Sequence, residues 1–140
     1  MLIEDIKKAS IVALKEKDTT ARSIYSVVLN KIMLEQIKKR EKGEELAESD
    51  VLNILQKALK ELADEKAGYE KVGNKEKVEY IKTQENIIQK YMPKMLIEQE
   101  IYDIIAKLED KSIGSVMRKF KTEFAGACDM KLVQEVLKRF

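Results

Sequence analysis

The stretch Tyr91-Met92-Pro93-Lys94-Met95-Leu96-Ile97-Glu98-Gln99-Glu100-Ile101 divides the chain and holds its only proline. Proline lacks an amide donor and pushes the preceding residue out of the helical region. A helix arriving from the N-terminal side must therefore end before Pro93. A new amphipathic pattern begins a few residues later. The segment predicts an all-α protein in two parts: an N-terminal bundle of long helices over residues 1–92 and a small C-terminal three-helix unit over 93–140. Tyr91 and Pro93 are the expected hinge, with Tyr91 bracing it.

Helical periodicity extends outward from this break. Upstream, helices are expected at about 2–17, 19–42, 50–72 and 75–91. The first carries Leu2, Ile3, Ile6, Ala13 and Leu14 near one face. Asp18 caps the second, where Ala21, Ile24, Tyr25, Val28, Leu29 and Ile32 follow i, i+3, i+4, i+7 spacing. Val27, Met33 and Leu34 widen that stripe and predict contact on two sides. Ser49 is the expected cap of the third helix, whose stripe runs Val51, Leu52, Leu55, Leu59, Leu62, Tyr69 and Val72. Asn74 caps the fourth, with Val78, Ile81, Ile88 and Tyr91 inward. Gly43 and Gly73 are natural stops.

Downstream, helices are expected at about 98–109, 113–124 and 130–139. Ile101, Ile104, Ile105 and Leu108 form the core face of the first. Ser112 caps the next, with Ile113, Val116, Met117, Phe120 and Phe124 inward. Asp129 caps the last, with Leu132, Val133, Val136, Leu137 and Phe140 inward.

Composition narrows the function classes. The 27 Lys and Arg nearly cancel the 25 Asp and Glu, so any phosphate-binding patch must be local. The absence of histidine removes Ser-His-Asp and Cys-His nucleophile systems, and the Glu-x-x-His metal sites of helical bundles. One cysteine without histidine leaves no zinc site, and isolated glycines make no phosphate loop. No catalytic residue, cofactor or metal is expected. The single cysteine, Cys128, suits a reducing cytoplasm. The longest wholly apolar run, Ile11 to Leu14, is far short of a membrane span.

The segment from Gly114 to Phe140 is locally basic. Arg118, Lys119, Lys121, Lys131, Lys138 and Arg139 stand against Glu123, Asp129 and Glu135. Arg118 and Lys121 share a face of one helix, and Lys131 and Lys138 share a face of the next. Together with the N-terminus of the last helix they are a candidate phosphate-binding surface. No exposed aromatic platform for base readout is evident. Cys128 precedes a helix N-terminus, which can lower a thiol pKa; a packed turn residue is the alternative.

The order of these pieces resembles the YqeY-like family. Lys17-Asp18 precedes the second helix. Leu52-x-x-Leu55-Gln56-Lys57 opens the third and Tyr69-Glu70-Lys71-Val72-Gly73 closes it. Tyr91-Met92-Pro93-Lys94 and Glu100-Ile101 mark the break. Gly114-Ser115-Val116-Met117 and the run from Gly126 to Val133 complete the chain. That family is similar, over its C-terminal part, to the tail domain of the aspartyl/glutamyl-tRNA amidotransferase, a helical appendage that approaches tRNA. The resemblance implies a non-catalytic accessory module, RNA-facing, linked to tRNA-dependent amidotransferase pathways, which are carbon-nitrogen ligases using glutamine as amide donor. It makes tRNA the expected partner, with Arg118, Lys121, Lys131 and Lys138 as the contacts. A protein–protein adaptor using the face of the long helices is the other reading. Ala127 stands where the family carries arginine, Met130 where it carries glycine, and Ile97 where it carries a serine-type cap. Weaker RNA contact than in relatives is expected, restorable by Ala127→Arg.

Overall fold

Helix ends in this chain are set by local hydrogen bonds that the sequence largely announces. The computed structural model describes residues 2–140, which contain seven helices and no strand. These are α1 (Leu2–Lys15), α2 (Thr19–Glu41), α3 (Glu48–Lys71), α4 (Lys75–Gln89), α5 (Glu98–Ala106), α6 (Ile113–Glu123) and α7 (Met130–Leu137). They fall into two compact units, Met1–Tyr91 and Met92–Phe140.

In the first unit, Asp18 caps α2 by accepting from the Ala21 amide at 3.1 Å. Asn74 caps α4 by accepting from the Lys77 amide at 3.2 Å. Three helices end in the same way. After α2, the amides of Gly43 and Glu44 bond back to Arg40 and Lys39 at 3.0 and 2.8 Å. After α3, Gly73 and Asn74 bond back to Glu70 and Tyr69 at 3.2 and 3.0 Å. After α1, Lys17 and Asp18 bond back to Leu14 and Ala13 at 3.3 and 2.9 Å. Each reversal needs one left-handed residue. Gly43 and Gly73 supply it at φ 72° and 71°, whereas α1 forces Lys17 to φ 58°. That is why α1 closes at Lys15 rather than at 17.

Helix α3 corrects its expected cap. It starts at Glu48, so Ser49 lies inside it and Ala47 takes the cap position. Asp50 reaches back to accept from the Ala47 amide at 2.8 Å, and its charge meets the positive helix end.

The core of this unit joins Ile6, Ile24, Val28, Ile32, Val51, Leu55, Ile81 and Ile88. Helix α1 packs on α2, α3 packs on α4, and α2 touches both α3 and α4. Several apolar expectations fail. Leu14 is exposed, and Val72, at the cap position of α3, is 76% exposed. Val27, with Met33 and Leu34 on the side of α2 away from Val28 and Ile32, is also exposed. The second contact side expected for α2 is uncovered in this unit. In exchange, Gln84 is buried, donating to the Tyr80 hydroxyl at 3.2 Å.

The second unit closes on Ile101, Ile105, Val116, Phe120, Cys128, Val133 and Val136. The Leu96 amide donates to the Ala127 carbonyl at 2.6 Å, tying the incoming segment of residues 93–97 to the α6–α7 turn. Ile97 lacks a capping side chain, yet Glu100 accepts from its amide at 3.1 Å and starts α5. Ser112 occupies the cap position of α6 without capping it through its side chain. Asp110 does that work, accepting from the Ser112 amide at 3.0 Å and from the Ser115 hydroxyl at 2.6 Å. Ile113 and Phe140, expected inward, are exposed because each lies at a helix end beyond the buried turns.

Candidate nucleic-acid interface

Helices α6 and α7 pack together and are joined by a short turn through Gly126, at φ 73°. Val116 and Phe120 of α6, and Val133 and Val136 of α7, fix the inner faces at zero exposure. Helical periodicity then turns Arg118, Lys121, Lys131 and Lys138 outward, and all four are exposed. Lys119 pairs with Glu123 at 2.6 Å, and Arg139 pairs with Glu98.

Arg118 and Lys121 lie one turn apart on α6. Lys131 and Lys138 lie two turns apart, a rise of about 10 Å. The four side chains stand as two pairs on separate helices, and Glu135 stands one turn from each of the α7 lysines. The N-terminus of α7 carries a built-in anion. Asp129 accepts from the Lys131 amide at 3.0 Å, so the lysine side chains, not the helix end, are what this face offers a phosphate.

Several positions behave differently from their sequence reading. Ala127 is only 8% exposed, so an arginine there would start from inside the unit rather than from its surface. Cys128 is buried, with its thiol 3.7 Å from the Phe124 carbonyl and 3.6 Å from the Met130 sulfur. Desolvation, with the neighbouring Asp129, pushes this thiol pKa up, against the lowering that a helix N-terminus would produce. The packed-turn alternative holds. Asp110 is held down to about 2 by its bonds to Ser115 and Ser112. Tyr91 meets Tyr25 through their hydroxyls at 3.1 Å, and Pro93 is exposed in the irregular stretch that follows.

Two features were not legible. Tyr102 and Phe140 stack with ring centroids 4.7 Å apart and planes at 27°. Lys111, Ile113, Gln134, Leu137, Lys138 and Phe140 line a cavity of about 540 Å³. The only sequence signal for the second was the apolar excess at the ends of α6 and α7.

Among the described residues, no group of three or more His, Cys, Asp or Glu could hold a metal ion. No helix there is long and apolar enough to cross a membrane. The family model described as Yqey-like protein matches residues 3–140. No curated protein matches the chain.

Proposed function

The chain belongs to the YqeY-like family, and from that membership we propose a non-catalytic accessory module that binds tRNA through its second unit. One observation carries this reading: two packed helices present Arg118, Lys121, Lys131 and Lys138 outward. Phosphate contact by such side chains orients a protein on RNA without reading sequence. The likeness of the family's C-terminal part to the amidotransferase tail supports tRNA as the partner and tRNA-dependent amide transfer as the setting. The absence of histidine supports a role without chemistry of its own. The single cysteine is in keeping with a cytoplasmic location. The test is titration with tRNA at two salt concentrations, because counterion release makes phosphate contacts steeply salt-dependent. Binding that ignores salt would exclude this reading.

A second reading has its own observation. Met33, Leu34 and Ile37 form an exposed apolar strip on the outer side of α2. Such strips mark protein contacts, and they favour an adaptor that docks a partner on its long helices. Capture of a protein partner that Leu34→Asp and Ile37→Asp abolish, with no tRNA binding, would select it.

A further inference from the structure

Phe140 is 45% exposed and its stacking partner Tyr102 is 38% exposed. The two rings divide their surroundings. Phe140 lines the cavity of about 540 Å³, whereas Tyr102 lines a separate hollow with Ile97, Glu98, Gln99 and Arg139. Tyr102 thus backs Phe140 and holds its plane, leaving the Phe140 ring to face the cavity.

Cations flank that ring. The Lys111 ammonium lies over the Phe140 ring, 5.9 Å from its centroid. It donates one hydrogen to the Leu108 carbonyl at 2.6 Å and keeps two donors. Lys138 lines the same cavity, and no acid does. Ile113 and Leu137 complete an apolar floor, and Gln134 adds an amide able to donate and accept. The volume falls within the range of small-ligand sites.

A flat apolar ring backed by a second ring, one ammonium over it, a second lining the same cavity and one amide match a flat heteroaromatic group joined to a phosphate. We infer that the Phe140 cavity takes one unpaired nucleotide of RNA, its base stacked on Phe140 in place of the Lys111 ammonium, and its phosphate held by Lys138 and by Lys111 swung off the ring. This inference rests on the RNA-binding reading and specifies its ligand: an unpaired nucleotide, at a site that shares Lys138 with the phosphate-binding side chains and does not include Arg118, Lys121 or Lys131. Stacking on an aromatic side chain is tolerant of base identity, so an unpaired position is selected rather than a sequence.

The experiment uses the full chain with two probes, hexauridylate and a short blunt RNA duplex. Phe140→Leu keeps the apolar cover and removes the aromatic plane. Lys111→Gln, at an exposed position, is the second variant. Hexauridylate should bind the wild type with upfield shifts of its base protons. Phe140→Leu should abolish those shifts and weaken binding about 5- to 100-fold, the worth of one stacked base. Lys111→Gln should weaken binding while the shifts persist at saturation. Neither change should alter duplex affinity. Conversely, Arg118→Glu with Lys121→Glu and Lys131→Glu should remove duplex binding and leave the base-proton shifts in place. Were the duplex to fail while hexauridylate still bound through Phe140, the duplex-face reading would fall and this site would stand. Hexauridylate binding indifferent to Phe140→Leu, or absent altogether, would overturn the site. So would decanoate binding in the cavity where hexauridylate does not, because that would mark an acyl pocket.

Discussion

The hydroxyls of Tyr25 and Tyr91 meet at 3.1 Å, with the rings edge to face at a centroid distance of 6.4 Å. Tyr25 belongs to α2 and is buried, while Tyr91 is the last residue of the first unit, just beyond α4. The pair therefore pins the end of that unit to its core. Tyr25→Phe or Tyr91→Phe leaves one hydroxyl without its partner and should cost about 0.5–1.5 kcal/mol in urea unfolding. The double variant should cost less than the two singles together. Full additivity would show that the hydroxyls do not interact. Burial, then the bond to Tyr91, raises the Tyr25 pKa well above the usual phenol value. The unfolded chain releases this proton first, so the contribution is complete below about pH 10 and declines as pH rises further. Tyr25→Phe should flatten that alkaline decline relative to wild type.

Lys17 offers a gain in stability. It holds the left-handed position that glycine fills after α2 and α3. A non-glycine residue there is strained by roughly 1–2 kcal/mol, part of which glycine gives back through its freer unfolded state. Lys17→Gly should raise the unfolding free energy by about 0.5–1 kcal/mol. Lower thermal stability of the variant would show that the lysine side chain stabilises the turn in a way its backbone does not reveal.

Asp110 should titrate abnormally. Its carboxylate accepts from Ser115 and Ser112, which lowers its pKa from 3.8 to about 2. A lowered folded pKa means stability that is present above the ordinary value and lost as pH falls through the folded one. Carbon NMR of the carboxyl should give a midpoint near 2. Asp110→Ala should reduce amide protection in the first turn of α6. A midpoint in the ordinary carboxylate range would remove Asp110 from the account of how α6 starts.

Cys128 should be inert in the native state. Its thiol is buried in the core of the second unit and its pKa is pushed up. Disulfide reagents should modify it only at the rate at which that unit opens, and urea should speed the reaction greatly. Rapid stoichiometric modification of the folded protein at neutral pH would contradict this packing.

Much of this architecture is written in short-range signals. Asp18, Asn74 and Asp129 cap the helices they precede, and Gly43, Gly73 and Pro93 bound the helices before them. Those effects act within a turn, so a single sequence carries them. Lys17 was not legible as a left-handed residue because its conformation is imposed by its own bond to Leu14 and that of Asp18 to Ala13. Val72, Ile113 and Phe140 misled for another reason: at a helix end, periodicity continues while the core does not. The outward placement of Arg118, Lys121, Lys131 and Lys138 follows from spacing alone. The Tyr102–Phe140 stack with Lys111 does not, since it depends on how α5 and α7 pack in register.

The central claim is that Arg118, Lys121, Lys131 and Lys138 hold tRNA by its phosphates. The most direct measurement is the dissociation constant for tRNA at two salt concentrations. Wild type is compared with a variant carrying glutamate at all four positions, its fold checked by circular dichroism. The account predicts wild-type binding at roughly 10⁻⁴ to 10⁻⁶ M near physiological salt, weakening steeply as salt rises. It predicts that the variant loses this binding, with the salt slope falling by up to about 3–4. Equal affinity and equal salt dependence of the two proteins would contradict it.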